Sequence, residues 1–413
     1  MRLCCRPGRA HAPNPVSSLA STRLSASVRA RLGANFVRKF STQALVPYMT
    51  IELAARMGAA RAGGVVFVIL ALGAAANLYG GKLCERHDRV RILRMGEIAH
   101  AASLLGMLAL CDQLLALIGL YLAKNLFFSI SLPAGELVLV RGSAPEQRAR
   151  IYALNNTLNN IAIPSGGLAG ALLYGWGLRP LLALAAGAAL GVLGIYGLCM
   201  SPESAGSGSP HRAQVPDNTF AALLRNRPAV YLLVSTVLLL VLEFSFDQYF
   251  AVKVAAAGAW EPAWGPRIEG ARIFGVLREE LAVVSVLAAW LCLRWVERLQ
   301  RPLPLAAAIA LATASFIALL HVRDPAAMML CVALMGIADA VANPVLQALY
   351  VNALPSRHYA MHLSIYALSG RFANMIAACL LAASGMVSAL AVSLLLAAAG
   401  IAATGLALAC AGG

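Results

Sequence analysis

Glu243 and Asp247 stand four residues apart within one apolar run, and Asp339 and Asn343 stand four apart within another. That spacing puts each pair on one face of a helix. A third apolar run carries Arg278, Glu279 and Glu280, a fourth carries Lys124 beside Asn125, and a fifth carries Arg371. Carboxylates facing cations in a wet cavity can take up and release protons, and can hold the opposite charge of a solute. Adjacent helical residues point about 100° apart, so Arg278, Glu279 and Glu280 cannot all face one site. Two roles stay open for Glu243. It is a protonatable coupling group in a cavity, or it is one end of a fixed bridge to Arg278 on the neighbouring helix.

Other chemistries find little support. The nine cysteines form no ligand-spaced cluster, and His358 and His362, also four apart, lack a third ligand. No metal or cofactor is implied. There is no nucleophile–base set of the kind an enzyme needs, and no phosphate-binding loop, which also excludes a pump driven by ATP.

The elements that must carry these groups are apolar and long. Hydrophobic residues make up 60% of the 413 and charged residues 12%, against about 45–50% and about 25% in an ordinary soluble domain. A membrane-spanning helix needs ~20 mostly apolar residues. Twelve such spans are predicted, at 34–55, 62–82, 92–111, 113–140, 150–174, 180–200, 228–252, 272–294, 303–321, 326–354, 358–383 and 387–410. A charge at the centre of a bilayer costs about 2.5–3.5 kcal/mol, so each intramembrane charge must face water or a partner.

The polar stretch 201–227 splits the spans six and six. The expected organisation is a basic tail at 1–33, a six-helix bundle at 34–200, a linker at 201–227 and a second bundle at 228–413. With both termini cytoplasmic, 23 Lys and Arg fall inside and seven outside, which fixes that orientation by the positive-inside rule. The net charge of +15 is therefore topological. The basic residues make no stripe interleaved with aromatics, so nucleic acid is not an expected partner. The N-terminal segment is rich in Arg and Ser and free of acids. A cytoplasmic tail, a transit peptide and an overlong start are all compatible with it.

One short signature recurs. Glu85-Arg86-His87-Asp88-Arg89 follows the second span, and Glu297-Arg298-Leu299-Gln300-Arg301 follows the eighth. Arg86 and Arg298 are 212 residues apart, about half the chain. With Gly81 and Leu83, the first copy resembles the G-x-L-x-D-R-x-G-R-R loop of the major facilitator superfamily. Glu85 replaces the Asp, Asp88 the second Gly and Val90 the last basic residue. The resemblance implies an all-α fold of twelve transmembrane helices in two six-helix pseudo-repeat bundles. It implies a cytoplasmic gate at Gly81, Leu83, Glu85, Arg86, Arg89, Glu297, Arg298 and Arg301, with Gly81 allowing close helix approach. It brings the fourth, seventh and tenth helices to one cavity, shared by Lys124, Glu243 and Asp339.

Asn160 to Gly170 is similar to the glycine-rich fifth helix of drug:proton antiporters in Pro164 and one or two glycines. Simple helix packing accounts for the same residues. The Arg that branch places midway along its fourth helix is absent; Tyr121 and Lys124 stand there. The function implied is proton-coupled export of a small organic solute, drug-like or a siderophore, across an inner (cytoplasmic) membrane by a monomer. The partners implied are the solute, protons and the lipid bilayer. Uptake by the same fold is the alternative, and a non-transporting sensor or membrane-embedded enzyme is the alternative of another class.

Overall fold

The computed structural model describes residues 25–141, 145–200, 225–257, 259–260, 268–292, 302–353 and 359–411. They form twelve long helices. The first six are α1 (Ala26–Met57), α2 (Ala59–Arg86), α3 (Arg89–Ala109), α4 (Leu114–Arg141), α5 (Pro145–Tyr174) and α6 (Leu178–Cys199). In the second half α7 runs from Arg227 to Ser245 and continues through a π-turn, Phe246–Phe250, into Ala251–Ala256. Then come α8 (Gly270–Cys292), α9 (Pro302–His321), α10 (Pro325–Ala353), α11 (Tyr359–Ala383) and α12 (Ala389–Ala411). A two-residue antiparallel ladder, Ala259–Trp260 with Ile268–Glu269, joins α7 to α8.

Local chemistry sets several ends. Ser25 Oγ accepts from the Val28 amide at 3.3 Å and starts α1. Gly58 ends it with φ 85°, a left-handed conformation that costs glycine nothing. Asp88 caps α3, accepting from the Val90 and Arg91 amides at 2.6 and 3.1 Å. Asp88, one of the three departures from the loop pattern, therefore has a task of its own. In the loop before α4, Arg179 donates to Asp112 at 2.6 Å. That hydrogen bond holds the Asp112 carboxyl below the usual carboxylate range.

The two halves repeat one packing plan. In the first, α1 packs on α5 and α6, α2 on α4, and α3 on α4 and α6; in the second, α7 packs on α11 and α12, α8 on α10, and α9 on α10 and α12. Between halves, α2 meets α11 and α5 meets α8. Adding six to each number converts every pair in the first half into its partner in the second.

One apolar core runs through both halves, from Ala44–Leu53 of α1 to Val241–Val254 of α7, Phe274 and Leu277. Toward the end where α1 begins, the cores separate. One there belongs wholly to the second half, around Leu305, Leu346 and Tyr350. Two belong wholly to the first, around Leu93, Val192 and Tyr196 and around Val28 and Leu139. The bundles are thus joined from mid-membrane to one end and part at the other. The joint contains a layer of rings. Tyr48 lies 5.0 Å from Tyr174 and 6.3 Å from Phe274 between centroids, and Phe246 lies 5.5 Å from Phe274 and 5.3 Å from Phe250.

Large apolar side chains elsewhere point outward, among them Leu198, Leu115 and Ile401, 90%, 86% and 72% exposed. A lipid-facing surface requires this. Among the described residues, eight helices are long and apolar enough to cross a membrane, and Leu368–Ala383 of α11 is a shorter apolar stretch.

Two expectations need correction. The first helix begins at Ala26, not near 34. Arg31, expected in the tail, is 1% exposed, and Arg38 of the first span is 5% exposed, because partners on other helices receive them. Nor is Gly81 a point of close approach: a Cβ there would meet nothing within 4 Å. Its neighbour Gly80 fills that role, where a Cβ would sit 2.3 Å from the Ile130 carbonyl oxygen. The rest of the expected tail, to residue 24, and the linker 201–224 lie outside the described residues.

Gly63 is equally tight, with a Cβ site 2.3 Å from the Ala382 nitrogen on α11. Gly63→Ala and Gly80→Ala are each expected to destabilise the purified protein by about 1–3 kcal/mol through overpacking. Gly81→Ala should be neutral or stabilise by up to ~1 kcal/mol. Thermal melting in one detergent compares all three.

Candidate functional site

The carboxylates meet where α7, α8 and α10 face α1. Asn343 Nδ2 donates to Asp339 Oδ1 at 2.8 Å, and Glu243 lies near the same side chain. One carboxamide therefore stands beside two acids on different helices. Glu243 and Asp339 are close enough to repel one another when both are ionised. Asp247, at the start of the π-turn, takes a two-pronged bond from Arg278: Nε to Oδ1 at 2.8 Å and Nη2 to Oδ2 at 3.1 Å. π-turns recur at functional sites, and this one carries the acid that receives α8. Opposite stands Lys39 of α1, whose ammonium interacts with both Glu243 and Asp247. These groups line a cavity of about 330 Å³.

A second cavity of about 460 Å³ adjoins it, sharing Lys39 and Phe244. Its walls come from both halves, with Arg38, Asn125, Asn155 and Asn159 on one side and Arg371 and Asn374 on the other. Asn35 donates to Asn155 at 2.6 Å and reaches Asn159 at 3.5 Å, which binds α1 to α5. Arg371 Nη1 donates to the Gly73 carbonyl at 3.3 Å and crosses from α11 to α2.

Behind this wall a charged group is packed inside the first bundle. Arg38 Nε lies 3.4 Å from Glu97 Oε2, with side chains 4% and 0% exposed. Arg38 also donates to Ser131 Oγ at 3.0 Å and covers the Phe128 ring at 4.5 Å. Neither Glu97 oxygen has a hydrogen-bond partner among the described residues, so that attraction is purely coulombic. His100 Nδ1 contacts the Lys124 carbonyl at 3.2 Å, and the Lys124 ammonium lies 5.4 Å over the Tyr121 ring.

Of the residues singled out by sequence, Glu243, Asp247, Asp339, Asn343 and Arg278 come together. The bridge weighed for Glu243 is not formed, since Arg278 binds Asp247 one turn further on. Arg371 lines the adjoining cavity. Lys124 does not share the chamber of Glu243; it is buried against Tyr121 within the first bundle, and Lys39 stands in its place. Glu279 meets Arg278 at α5: Glu279 Oε1 and Arg278 Nη1 would lie 2.0 and 2.9 Å from a Cβ at Gly167. Glu280 is half-buried with Oε2 unpartnered among the described residues. In the fifth helix, Cβ atoms at Gly166 and Gly170 would fall 2.3 and 2.5 Å from the Phe40 and Ala44 carbonyls, so those glycines serve the close packing of α1 on α5.

Sequence reading missed Lys39, Arg38, Glu97 and His100. Glu97 had the same signal as Glu243, an acid inside a predicted span; Arg38 and Lys39 were hidden by assignment to the cytoplasmic end. Of the gate signature, Arg86 is exposed at the end of α2 and Arg89 opens α3. The Glu85 side chain, Glu297, Arg298, Arg301, His358 and the His362 side chain lie outside the described residues.

Two six-helix bundles, joined at one end around cavities lined by opposite charges, define a membrane transporter that opens to one side at a time. The chain belongs to the major facilitator superfamily, whose family model matches residues 32–378. It is 29% identical over 153 residues to a "Na(+), Li(+), K(+)/H(+) antiporter" of Planococcus maritimus, a match spanning 36% of each protein. Solved structures share the fold at low identity. A peptide transporter POT in complex with alafosfalin aligns with TM-score 0.69 and 16% identity over 93% of both chains. The nucleoside transporter NupG aligns with TM-score 0.69 and 12% identity, over 94% of this chain and 100% of that one. A bacterial homologue of the human lysosomal transporter Spinster, inward-facing and unoccupied, aligns with TM-score 0.66 and 13% identity, over 92% and 95%.

Removing one member of a buried ion pair leaves the other charge stranded, at about 3–5 kcal/mol. Glu97→Gln is expected to lower stability by that order. The double replacement Arg38→Met with Glu97→Leu should recover most of it. Melting of the purified variants decides, and equal damage in the single and double replacements would contradict the pairing.

Proposed function

We propose that the protein is a proton-coupled exporter of a small organic solute, working as an antiporter in the cytoplasmic membrane. The observation that carries this is the placing of Glu243 and Asp339 together at the wall of one cavity. Two carboxylates held together repel in a medium of low dielectric. Asn343 donates to Asp339 and brings no net charge. A proton on either acid relieves the repulsion. So does a cationic or N–H-rich group of a solute placed between them. Proton and solute therefore compete for one place, and competition for one place is what exchange across a membrane requires. Asp247 is excluded from this traffic by Arg278. Lys39 is the remaining charge that faces the pair.

The antiporter relative supports exchange with protons, and its named cargo is a monovalent cation. Cavity size favours an organic cargo here: about 330 and 460 Å³ fall in or near the ~300–1,000 Å³ of sites that enclose small organic molecules. The resemblance gives the loops bearing Arg86 and Arg298 the part of a cytoplasmic gate, and ion pairs on a wet surface are worth about 0–1 kcal/mol each. Pairs that weak can break in every cycle.

The test begins with cells expressing the protein, grown against a panel of toxic organic compounds and under iron limitation, to find a cargo. Everted vesicles acidified inside should then accumulate it. Glu243→Gln and Asp339→Asn should lose that gradient-driven accumulation by about tenfold or more, while exchange of labelled for unlabelled cargo without a gradient survives. Intact proton-driven accumulation in Glu243→Gln would refute the coupling assignment; accumulation only in right-side-out vesicles would make the protein an uptake carrier.

A further inference from the structure

The second cavity is charged in the opposite sense to the first. Its described lining holds Arg38, Lys39 and Arg371 against one acid, Glu136, which is exposed. The three cations are not equivalent. Glu97 and the Phe128 ring occupy Arg38. Lys39 sits at the junction and answers Glu243 and Asp247. Arg371 makes one hydrogen bond, to the Gly73 carbonyl, and faces no acid among the described residues. A guanidinium set among α2, α4 and α11 without a counter-ion is expensive, and it keeps further N–H donors for a planar anion. Asn155 and Asn159 accept from Asn35, so their own amide donors are unused by that contact. Phe244 lies on both cavities and supplies an apolar wall between the acid end and the basic end.

We propose that the carried solute is amphoteric: a cationic or amine group goes to Glu243 and Asp339, and a carboxylate or similar oxyanion goes to Arg371 with Lys39. The inference rests on the antiport reading for its amine end and on the second cavity for its acid end. The acid end fixes the class of cargo. Lys39, between the two, is drawn toward the solute's anion when the cargo is bound and returns to the carboxylates when it leaves.

A rigid matched set of probes tests this: 4-(aminomethyl)benzoate carries both charges, 4-methylbenzylamine only the amine and 4-methylbenzoate only the acid. Binding to the purified full chain is measured by saturation-transfer NMR at millimolar concentration. The amphoteric probe should bind the wild type about tenfold more tightly than the amine, the worth of one charge-assisted hydrogen-bonded contact. Arg371→Gln should abolish that advantage and leave 4-methylbenzylamine within about twofold of its wild-type affinity. Arg371→Lys keeps the charge and should keep part of the preference, which separates loss of the anion contact from loss of folding. Equal or absent binding of the amphoteric probe and the amine by the wild type overturns the proposal, as does equal loss of both probes in Arg371→Gln. Failure of the antiport reading looks different: amine binding would then be indifferent to pH and to Glu243→Gln, while the preference for a carboxylate persisted.

Discussion

An ionised side chain in the middle of a bilayer must be matched by an opposite charge or by water, and this condition arranges the whole molecule. Three helices, α1, α5 and α8, are too rich in charges or amides to pass as spans on length and apolarity. They carry Arg31, Arg38 and Lys39, the Asn155 and Asn159 pair, and Arg278 with two glutamates, while α11 places Arg371 within an apolar stretch. These four helices supply much of the lining of both cavities. They are also the helices that α2, α7, α8 and α10 shield or meet across the middle of the protein. Polarity that would expel a lone helix from lipid here selects its place, at the centre, with the apolar α3, α6, α9 and α12 packed in the outer pairs.

The joint between the bundles follows from a second physical choice. Many contacts across the halves use small residues and rings, with charged side chains set against backbone at a few of them. Gly63 meets the Ala382 backbone, a Cβ at Gly275 would lie 2.5 Å from that of Ala171, and Gly175 faces Arg272. Close backbone approach of this kind gives dispersion contacts in a medium where lipid tails compete poorly with flat surfaces. Beyond the ring layer lies a recess of about 870 Å³ lined by Ile51, Tyr174 and Val252. The barrier to solute at the joined end is therefore the apolar core shared by both halves, with the Tyr48 and Phe274 rings inside it.

Much of this was legible in the sequence, and the boundary of legibility is instructive. Twelve spans, the six-and-six division and the pairing of Asp339 with Asn343 came from hydropathy and a spacing of four, because both are local properties of a helix. What failed depended on a partner far along the chain. Arg31 finds the Tyr196 hydroxyl at 2.8 Å, 165 residues away, and nothing near residue 31 announces it. The positive-inside count treated the basic residues before 40 as a block, and so hid two buried arginines and the lysine that faces Glu243. Lys124 failed for a related reason. A place midway along a span says nothing of which way around the helix axis a side chain points, and His100 and Glu97 of α3 with Tyr121 of its own helix decide that.

The bond between Arg278 and Asp247 explains why Glu243 can be left for other work. A guanidinium at that depth would otherwise attract whichever acid is nearest, and Glu243 is only one turn away. Two parallel hydrogen bonds to Asp247, at 2.8 and 3.1 Å, meet the fork geometry of Arg far better than a single contact could. They fix the end of α7 to α8 within one bundle. Glu243 stands beside the Asn343 carboxamide and feels the charge of Arg278 from its own bundle and of Lys39 from the other. Its electrostatic surroundings must change whenever α1 moves relative to α7. A carboxyl whose counter-charge comes and goes with the conformational cycle is the kind of group through which proton binding and bundle movement can be coupled.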